Sequence, residues 1–345
     1  MRKRLSPLAS QVIVITGATS GIGLTTARMA AQRGASLVLA ARDSQALDEL
    51  AQQLRRMGAQ ALAVPADVGV REDVVALGRA AVQRFGRIDT WINNAGVSVY
   101  GRLEDVPLQD QQQLFQTNFW GVVHGSMVAL ALMKERGGAI INLGSELSDR
   151  AVPLQGMYSA SKHAVKGFTD ALRMEVEKER LPLSVTLVKP AGVDTLFTSH
   201  ARNYLENEPE LPAPVYAPEL AAGAILHAAQ HAERDVYVGG ASRAVSLAAN
   251  LFPRLLDRFM HTVMFRQQQS SRPAASGRSD SLYQPHGGAL MQRQGGRSSK
   301  VHEASAYTFL STRGRPLALS LLAGGALLAA WKISQRGDKA AAHPA

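Results

Sequence analysis

A tyrosine and a lysine lie four positions apart in the segment YSASK at residues 158–162. If this segment is helical, Tyr158 and Lys162 lie one turn apart on the same face. A phenol with a pKa of about 10 is a poor base near neutral pH, and a neighbouring ammonium group favours the phenolate. The pair therefore indicates acid–base chemistry by Tyr158, although these five residues alone are equally compatible with a solvated surface pair.

A glycine-rich stretch, TGATSGIG at residues 16–23, follows the apolar run QVIVIT. Glycines after a strand allow a tight turn, and the backbone N–H groups of the turn and of the following helix can approach a pyrophosphate. A tight turn without a ligand is the alternative, so the stretch alone is a weak signal. It indicates a dinucleotide site that involves six residues: Thr16, Gly17, Ser20, Gly21, Ile22 and Gly23.

The spacing of this stretch resembles the T-G-x-x-x-G-x-G loop of the short-chain dehydrogenase/reductase family. Further markers of that family follow in the same order and at similar distances, over roughly residues 10–240. They are Asp67 in ADV, NNAG at 93–96, Asn118 in QTNFWG, Ser145 in NLGSELS, and Tyr158 with Lys162. Each marker alone is modest, but the ordered set is highly specific. The resemblance favours the catalytic interpretation of the tyrosine and the lysine.

The resemblance implies an oxidoreductase that interconverts a carbonyl and an alcohol with a nicotinamide cofactor. It implies four catalytic residues: Asn118, Ser145, Tyr158 and Lys162. In this family the serine holds the substrate oxygen, the lysine also binds the nicotinamide ribose, and the asparagine holds a water in a proton relay. A dinucleotide-binding scaffold or redox sensor without turnover is the alternative. The intact set of four residues argues against that alternative.

The end of the second predicted strand bears on the choice between NAD and NADP. An acidic residue there would bind the adenosine ribose, but this chain has Ala41 at that position. Arg42 follows, and its planar guanidinium suits a 2′-phosphate. Asp43 comes next and could pair with Arg42 or cap the next helix, and a solvated strand end is the alternative role for Arg42. The sequence therefore favours NADP(H) over NAD(H).

Two more stretches belong to the predicted cofactor site. Asn94, Ala95 and Gly96 end the fourth predicted strand, where the asparagine either knits strands together or contacts the cofactor. Asp67, followed by Val68, resembles the family residue near the adenine ring, although a loop aspartate is equally often a turn cap. Both stretches have a structural and a cofactor interpretation.

The loop PAGVDT at residues 190–195 departs from the family pattern P-G-x-V-x-T. Pro190, Val193 and Thr195 match that pattern, so the resemblance implies that they bind the nicotinamide carboxamide. Ala191 and Gly192 are exchanged relative to it. Because Ala191 cannot freely take a positive φ, we expect the backbone of this loop to differ.

The elements that must position these residues are strands and helices in alternation. Seven short apolar runs read as strands: 11–16, 36–41, 61–66, 88–93, 139–144, 183–189 and 235–239. Most are continuously apolar, as expected for strands covered on both faces, and amphipathic stretches separate them. Repeated strand–helix units predict an α/β fold of the Rossmann type, with a doubly wound parallel sheet of about seven strands and helices on both faces.

Composition limits the other classes of function. The chain of 345 residues has no cysteine, which excludes disulfides and thiolate metal sites, and its nine histidines form no metal-like cluster. The formal net charge is +10, but residues 266–315 hold eight basic and two acidic side chains. Residues 316–345 add three basic side chains and one acidic side chain, which leaves a net charge of +2 for residues 1–265. The body is therefore close to neutral, and nucleic-acid binding is not expected.

Four regions follow from these patterns. Residues 1–265 form the catalytic domain with C-terminal helices, 266–315 a basic disordered linker, 316–333 a transmembrane or membrane-associated helix, and 334–345 a short polar tail. The N-terminus has no apolar run typical of a signal peptide, so we expect a cytoplasmic catalytic domain that is membrane-anchored at its C-terminus. Apolar residues in 194–217 hint at a lipophilic carbonyl substrate. The family resemblance suggests a homodimer or homotetramer.

Overall fold

The computed structural model describes residues 5–286, 290–294 and 300–312. The strands are β1 (Val12–Thr16), β2 (Ser36–Ala41), β3 (Ala61–Pro65), β4 (Thr90–Asn93), β5 (Val99–Tyr100), β6 (Gly138–Leu143), β7 (Leu183–Pro190), β8 (Arg202–Asn203), β9 (Asn207–Pro209), β10 (Val215–Tyr216), β11 (Asp235–Val238), β12 (Gln269–Pro273) and β13 (Val301–His302). The α-helices are α1 (Gly21–Ala31), α2 (Ser44–Arg56), α3 (Arg71–Phe85), α4 (Leu108–Phe115), α5 (Gly121–Met133), α6 (Gly156–Lys178), α7 (Phe197–His200), α8 (Pro218–Ala228), α9 (Gly240–Leu251), α10 (Pro253–Phe259), α11 (Phe265–Gln267) and α12 (Ala306–Thr312). Short 3-10 turns lie at Leu8–Ser10 and Glu146–Ser148, and π-helical turns at Gln116–Trp120 and Met260–Met264.

Seven strands form one sheet in the order β11-β7-β6-β4-β1-β2-β3. Every neighbouring pair in this sheet is parallel. These strands are the seven that the apolar runs predict, and helices lie on both faces. The predicted Rossmann-type fold is confirmed.

The two faces of the sheet explain why its strands are continuously apolar. Successive side chains of a strand point to opposite faces. In β1, Ile13 and Ile15 lie in a hydrophobic cluster with residues of α1, α2 and α8. Val12 and Val14 lie in a second cluster with residues of α3, α5 and α6. Both faces are buried, so a polar residue in the middle of β1 would lose its hydration on either side.

The strand order places the candidate site. Strand β1 lies between β2 and β4, so the connections run to opposite sides of the sheet from this point. In open parallel sheets a ligand binds in the crevice at the carboxyl ends of the strands, beside such a switch point. The turns after β1, β4, β6 and β7 all open at this edge. They carry the glycine-rich turn, NNAG, Ser145 and PAGVDT.

The C-terminal segment crosses this edge. Strand β12 pairs antiparallel with β9, and β13 pairs parallel with β10. We call residues 269–286 and 290–294 the C-terminal strap. Arg278 of the strap donates hydrogen bonds to the carbonyl oxygens of Thr198, Ser199 and Ala201, and Leu282 is fully buried.

The structure differs here from the predicted disordered linker at 266–315, within the residues that it describes. The prediction rests on the scarcity of large apolar residues in the segment itself. The body of the protein supplies the missing partners, because it accepts hydrogen bonds from the strap, buries Leu282 and packs against Leu290. The amino-acid composition of a segment does not show which distant residues contact it.

Within 5–286, 290–294 and 300–312, no helix has both the length and the apolar character to span a membrane. The predicted membrane segment at 316–333 and the polar tail at 334–345 lie outside the described residues.

Candidate active site

The glycine-rich turn holds β1 and α1 close together. Gly17 and Gly21 have φ values of +65° and +51°, which favour glycine. A Cβ on Gly23 would lie 2.1 Å from the carbonyl oxygen of Gly17, so only glycine lets α1 begin this close to β1. Close backbone approach at a helix N-terminus is what a pyrophosphate needs. Ser20 and Ile22 of this turn line the cavity described below.

The NNAG segment is fastened to the same turn. The Asn94 amide donates to the carbonyl oxygens of Thr16 and Gly17, at 2.9 and 3.1 Å. Its backbone N–H and that of Ala95 donate to Thr16 Oγ1, at 3.0 and 3.2 Å. Asn94 therefore knits the ends of β1 and β4 together, and it also lines the cavity beside Ala95 and Gly96.

Ser145, Tyr158 and Lys162 converge at the carboxyl ends of β6 and β4. Ser145 follows β6 and caps the 3-10 turn at Glu146–Ser148, where its Oγ accepts from the N–H of Leu147 at 3.2 Å. Lys162 Nζ lies 5.6 Å from the ring centre of Tyr158 and donates to the carbonyl oxygen of Leu143 at 2.8 Å. Tyr158 is 9% exposed and Lys162 is 5% exposed. Both side chains are buried, so they are not a solvated surface pair.

Burial controls the ionisation of this group. It raises the pKa of Tyr158 above its ordinary value; the hydrogen bond with Ser145 lowers that pKa, and the charge of Glu146 raises it further. Burial also lowers the pKa of Lys162 to about 8 and raises the pKa of Glu146 to about 7. The sequence suggests that the ammonium group favours the phenolate, but here desolvation is the largest effect on the Tyr158 pKa and raises it. At neutral pH the phenol is protonated and can donate a proton.

Asn118 lies behind this group, in the π-helical turn Gln116–Trp120 between α4 and α5. Its Nδ2 donates to the Val97 carbonyl oxygen at 3.0 Å and to Ser161 Oγ at 3.2 Å, and its Oδ1 accepts from the Val97 N–H at 2.8 Å. It therefore ties the segment after NNAG to helix α6. Asn118 is fully buried and does not line the cavity. A π-turn in a helix is often found at a functional site.

A cavity of about 540 Å³ opens beside Ser145, Tyr158 and Lys162; we call it the catalytic cavity. Much of its wall is apolar and comes from Leu147, Val152, Phe197, Leu211, Val245, Phe259, Met260 and Met264. A second cavity of about 400 Å³ lies beside Arg42, and we call it the Arg42 cavity. The two share Gly17, Ser20, Ala95 and Gly96 in their walls. They therefore follow one another along the carboxyl edge of the sheet.

The loop at 190–195 closes one side of the catalytic cavity. Neither Ala191 nor Gly192 has a positive φ, so the exchange of these residues imposes no strain of the expected kind. The N–H of Ala191 donates to the Val238 carbonyl oxygen, and the Gly192 carbonyl oxygen accepts from the N–H of Tyr216. These backbone hydrogen bonds fix the conformation of the loop. A positive φ at Ala191, the reason for expecting an altered backbone, is not found.

The remaining predicted residues of this loop face the cavity. Pro190, Val193 and Thr195 all line it. A Cβ added to Gly21 would lie 3.0 Å from Cβ of Thr195, so the loop directly faces the glycine-rich turn.

Arg42 lies just beyond the end of β2 and borders the Arg42 cavity. Its guanidinium donates to three carbonyl oxygens of the C-terminal strap: Ser281 at 2.5 Å, Tyr283 at 3.2 Å and Leu282 at 3.4 Å. The strap also accepts a hydrogen bond at the start of α1, where the N–H of Gly21 donates to the Met291 carbonyl oxygen at 3.0 Å. Carbonyl oxygens thus occupy donors that the sequence assigns to cofactor phosphates.

Asp67 and Val68 lie on the opposite wall of the Arg42 cavity. The Asp67 carboxylate accepts from the N–H of Gly69 at 2.8 Å, and its own N–H donates to Asp73 at 2.9 Å. Asp67 is therefore a turn cap, as the alternative interpretation has it, and it also faces the cavity.

Several cavity residues have no motif that points to them. Glu146 follows Ser145 directly in the sequence, and its position beside a known marker is the only available signal. Ser281, Pro285, His286 and Met291 of the strap line the Arg42 cavity from more than 200 positions away in the sequence. No local pattern could have identified them.

Comparison with known proteins agrees with this geometry. The profile of a family described as short chain dehydrogenase matches residues 11–205. The chain is 43% identical over 336 residues to "Uncharacterized oxidoreductase YxnA" of Bacillus subtilis, covering 96% of this chain and 93% of that protein. It is 37% identical over 193 residues to "11-beta-hydroxysteroid dehydrogenase A" of Sesamum indicum, covering 55% of each.

A solved structure of a short chain dehydrogenase/reductase from Burkholderia phymatum in complex with NAD is similar, with a TM-score of 0.65 and 27% identity. The similarity covers 79% of this chain and all of that one. The protein thus belongs to the short-chain dehydrogenase/reductase family, whose enzymes act on CH–OH donors with NAD(P).

Proposed function

We propose that the protein is an NADP(H)-dependent oxidoreductase that interconverts a lipophilic carbonyl compound and its alcohol. The observation that carries this proposal is the buried group of Ser145, Tyr158 and Lys162 beside the catalytic cavity. The glycine-rich turn, Arg42, Asp67, Asn94 and the 190–195 loop line the two consecutive cavities and fit a dinucleotide. When bound, the nicotinamide supplies or accepts the hydride.

Each side chain of the group has a role in moving the proton. The Ser145 hydroxyl donates a hydrogen bond to the carbonyl oxygen of the substrate and orients it. Tyr158 is protonated near neutral pH and gives its proton to that oxygen. The Lys162 ammonium stabilises the phenolate that forms. Asn118 positions helix α6 against the segment after NNAG.

The proposed preference for NADPH depends on Arg42. The 2′-phosphate of NADPH must compete with the three strap carbonyl oxygens for this guanidinium. A charged hydrogen bond to phosphate is stronger than one to a neutral carbonyl, so the exchange is favourable. Similar solved structures contain NAD in one case and 5-hydroxy-NADP in another, so they favour neither cofactor and the proposal rests on Arg42.

Replacing Arg42 by alanine should raise the KM for NADPH by roughly tenfold or more and leave the KM for NADH nearly unchanged. The physical reason is that only NADPH carries the 2′-phosphate. Steady-state kinetics with both cofactors measures this. Arg28→Ala is the matched control, because Arg28 donates to Gln53 and lines neither cavity. Equal loss for the two cofactors would show that Arg42 has a structural role.

Glu146 should control the pH dependence of alcohol oxidation. In that direction Tyr158 must be ionised, so the rate rises with pH through its pKa. The Glu146 charge raises that pKa, so Glu146→Gln should shift the rise to lower pH. The pH profile of kcat under conditions where chemistry limits the rate measures the shift. Glu177→Gln, on helix α6 and away from both cavities, is the control; a shift to higher pH with Glu146→Gln would contradict the assignment.

The proposed lipophilic substrate is supported by the wall of the catalytic cavity. Leucine, valine, phenylalanine and methionine side chains surround the polar group. The cavity of about 540 Å³ lies within the usual range of ligand pockets, and the nicotinamide end of the cofactor and the substrate would share it. The similarity to a protein named as a hydroxysteroid dehydrogenase agrees with a large apolar substrate, although it covers only about half of either chain.

We also propose that the protein forms a homodimer or homotetramer. Four large apolar side chains are exposed on or beside helices α5 and α6: Trp120, Met127, Leu132 and Met174. An apolar surface of this kind is typical of a subunit interface. Static light scattering of the purified protein tests this, and a monomer would contradict it.

We further propose that residues 316–333 anchor a cytoplasmic catalytic domain in a membrane. The run LALSLLAGGALLAA has no polar face, and Trp331 and Lys332 follow it. Full-length protein should therefore stay with the membrane fraction through a high-salt wash, whereas residues 1–312 should be released. Fractionation and ultracentrifugation measure this. Full-length protein in the supernatant before any wash would remove the anchor.

A further inference from the structure

Helices α9 and α10 present a stripe of apolar side chains to solvent. Leu247, Leu251, Leu255 and Phe259 recur every four residues, and Phe252 lies beside them. Their exposed fractions are 45%, 67%, 69%, 45% and 60%, in that order. Residues four apart lie on the same face within one helix, so Leu247 and Leu251 share a face of α9, and Leu255 and Phe259 share a face of α10. Phe252 lies at the junction of the two helices, and we call these five exposed residues the α9–α10 stripe. Five large apolar side chains exposed close together in sequence are typical of an interaction surface.

Basic residues border this stripe. Arg254 and Arg258 are exposed in helix α10 itself, and Arg266 is exposed shortly after it. The one acidic residue between 240 and 266 is Asp257, which pairs with Arg150. An apolar face flanked by cations is the pattern by which a helix lies on a bilayer that contains anionic lipids.

The same helices form the wall of the catalytic cavity. Ala244 and Val245 of α9 line it, as do Met260 and Met264 in the turn after α10. Phe259 belongs both to the stripe and to the cavity wall. The stripe therefore borders the cavity that the proposed substrate must enter.

The described part of the chain ends on the same side of the fold. Helix α12 packs against α8, α9 and β11, and its Phe309 and Leu310 are 52% and 58% exposed. From Thr312 the chain continues within a few residues into the apolar run LALSLLAGGALLAA. Helix α12, which packs against α9, is therefore separated by only a few residues in sequence from the proposed membrane anchor.

We propose that the α9–α10 stripe docks on the surface of a membrane containing anionic lipids and holds the mouth of the catalytic cavity against the bilayer. Docking of the stripe on a membrane does not depend on the proposed enzymatic function. The entry of a lipophilic carbonyl compound from the bilayer into the cavity does rest on that function. A second copy is a poorer occupant, since a two-fold interface would bring Arg254 and Arg258 against the same two residues. The run at 317–330 is also a poorer occupant, because it has no acidic residue to pair with them.

A single cysteine can report on this surface, since the full chain has none of its own. Leu255→Cys is labelled in full-length protein with a polarity-sensitive fluorophore, and Leu108→Cys on α4, equally exposed at 68%, is the matched control. With vesicles of phosphatidylcholine and phosphatidylglycerol, the emission at position 255 should shift to shorter wavelength while that at 108 does not change. The shift should weaken in vesicles of phosphatidylcholine alone and in high salt.

Three outcomes would overturn the proposal. In the first, the protein co-floats with the vesicles but the emission at position 255 does not change, which means that only another segment binds the vesicles. A shift without vesicles that grows with protein concentration means that a second copy covers the stripe. A shift without vesicles at every concentration means that the chain covers it with its own residues.

A second variant tests the energetics without a label. The reference protein is residues 1–312 with the wild-type sequence. The double substitution Leu251→Asp and Leu255→Asp in this protein should weaken its binding to vesicles by roughly tenfold or more. The circular dichroism spectrum of each protein verifies its folding. Unchanged binding would contradict docking through the stripe. Neither experiment requires turnover, so a failure of the proposed enzymatic function would be seen separately.

Discussion

Tyr158→Phe is expected to lower kcat for carbonyl reduction by roughly 10²–10⁴-fold, the range typical of a general acid. The substitution removes only the phenol oxygen, and that oxygen carries the proton that the substrate needs. The ring, with its centre 5.2 Å from that of Phe197, keeps its packing. Binding of NADPH, measured by fluorescence titration, should therefore remain nearly unchanged.

The matched control for this variant is Tyr216→Phe. Tyr216 is 8% exposed, almost the same as Tyr158, and its side chain lines neither cavity. Loss of its phenol oxygen should leave kcat close to that of the wild type. If Tyr158→Phe kept more than about a tenth of the wild-type kcat, the assignment of Tyr158 as the acid would be wrong.

Lys162→Met should lower kcat/KM for reduction by roughly 10²-fold or more, because the variant loses the positive charge that stabilises the phenolate. Methionine fills a similar volume, so the buried position stays packed. The pKa of Lys162 is lowered to about 8 by burial. The ammonium group is therefore present below about pH 8, and the wild-type reduction rate should fall as pH rises through that value. In the variant this fall should be absent.

Lys166→Met is the control for Lys162→Met. Lys166 lies one turn further along α6 and pairs with Asp149 at 2.9 Å, outside both cavities. Its replacement should leave the pH profile of the reduction unchanged. A profile for Lys162→Met that still falls near pH 8 would assign the ionisation to another group.

The parts of this site that the sequence predicts are those whose signal is local. Tyr158 and Lys162 lie on one helix, and a spacing of four residues determines that they share a face. The glycine-rich turn follows directly from β1, and the apolar runs correspond to the seven strands of the sheet. In each of these cases neighbouring residues determine the geometry.

The parts that the sequence does not predict depend on distant partners. Arg42 bonds to strap residues about 240 positions away, and no local pattern encodes such a contact. The composition of residues 266–315 predicts disorder because the residues that hold this segment in place belong to the body of the protein, not to the segment itself. The direction of the Tyr158 pKa shift depends on burial and on Glu146, which the tyrosine–lysine spacing does not reveal. The π-turn at Asn118 likewise has no signature that could be read from the sequence.

The most direct test of the central claim is hydride transfer itself. Full-length protein is incubated with NADPH deuterated at the transferable position of the nicotinamide and with a panel of aldehydes, ketosteroids and 3-keto lipids. The account predicts carbonyl-dependent consumption of NADPH, with the deuterium recovered on the alcohol carbon of the product. NADPH that binds but is consumed with no member of the panel would contradict it and would favour a dinucleotide-binding scaffold.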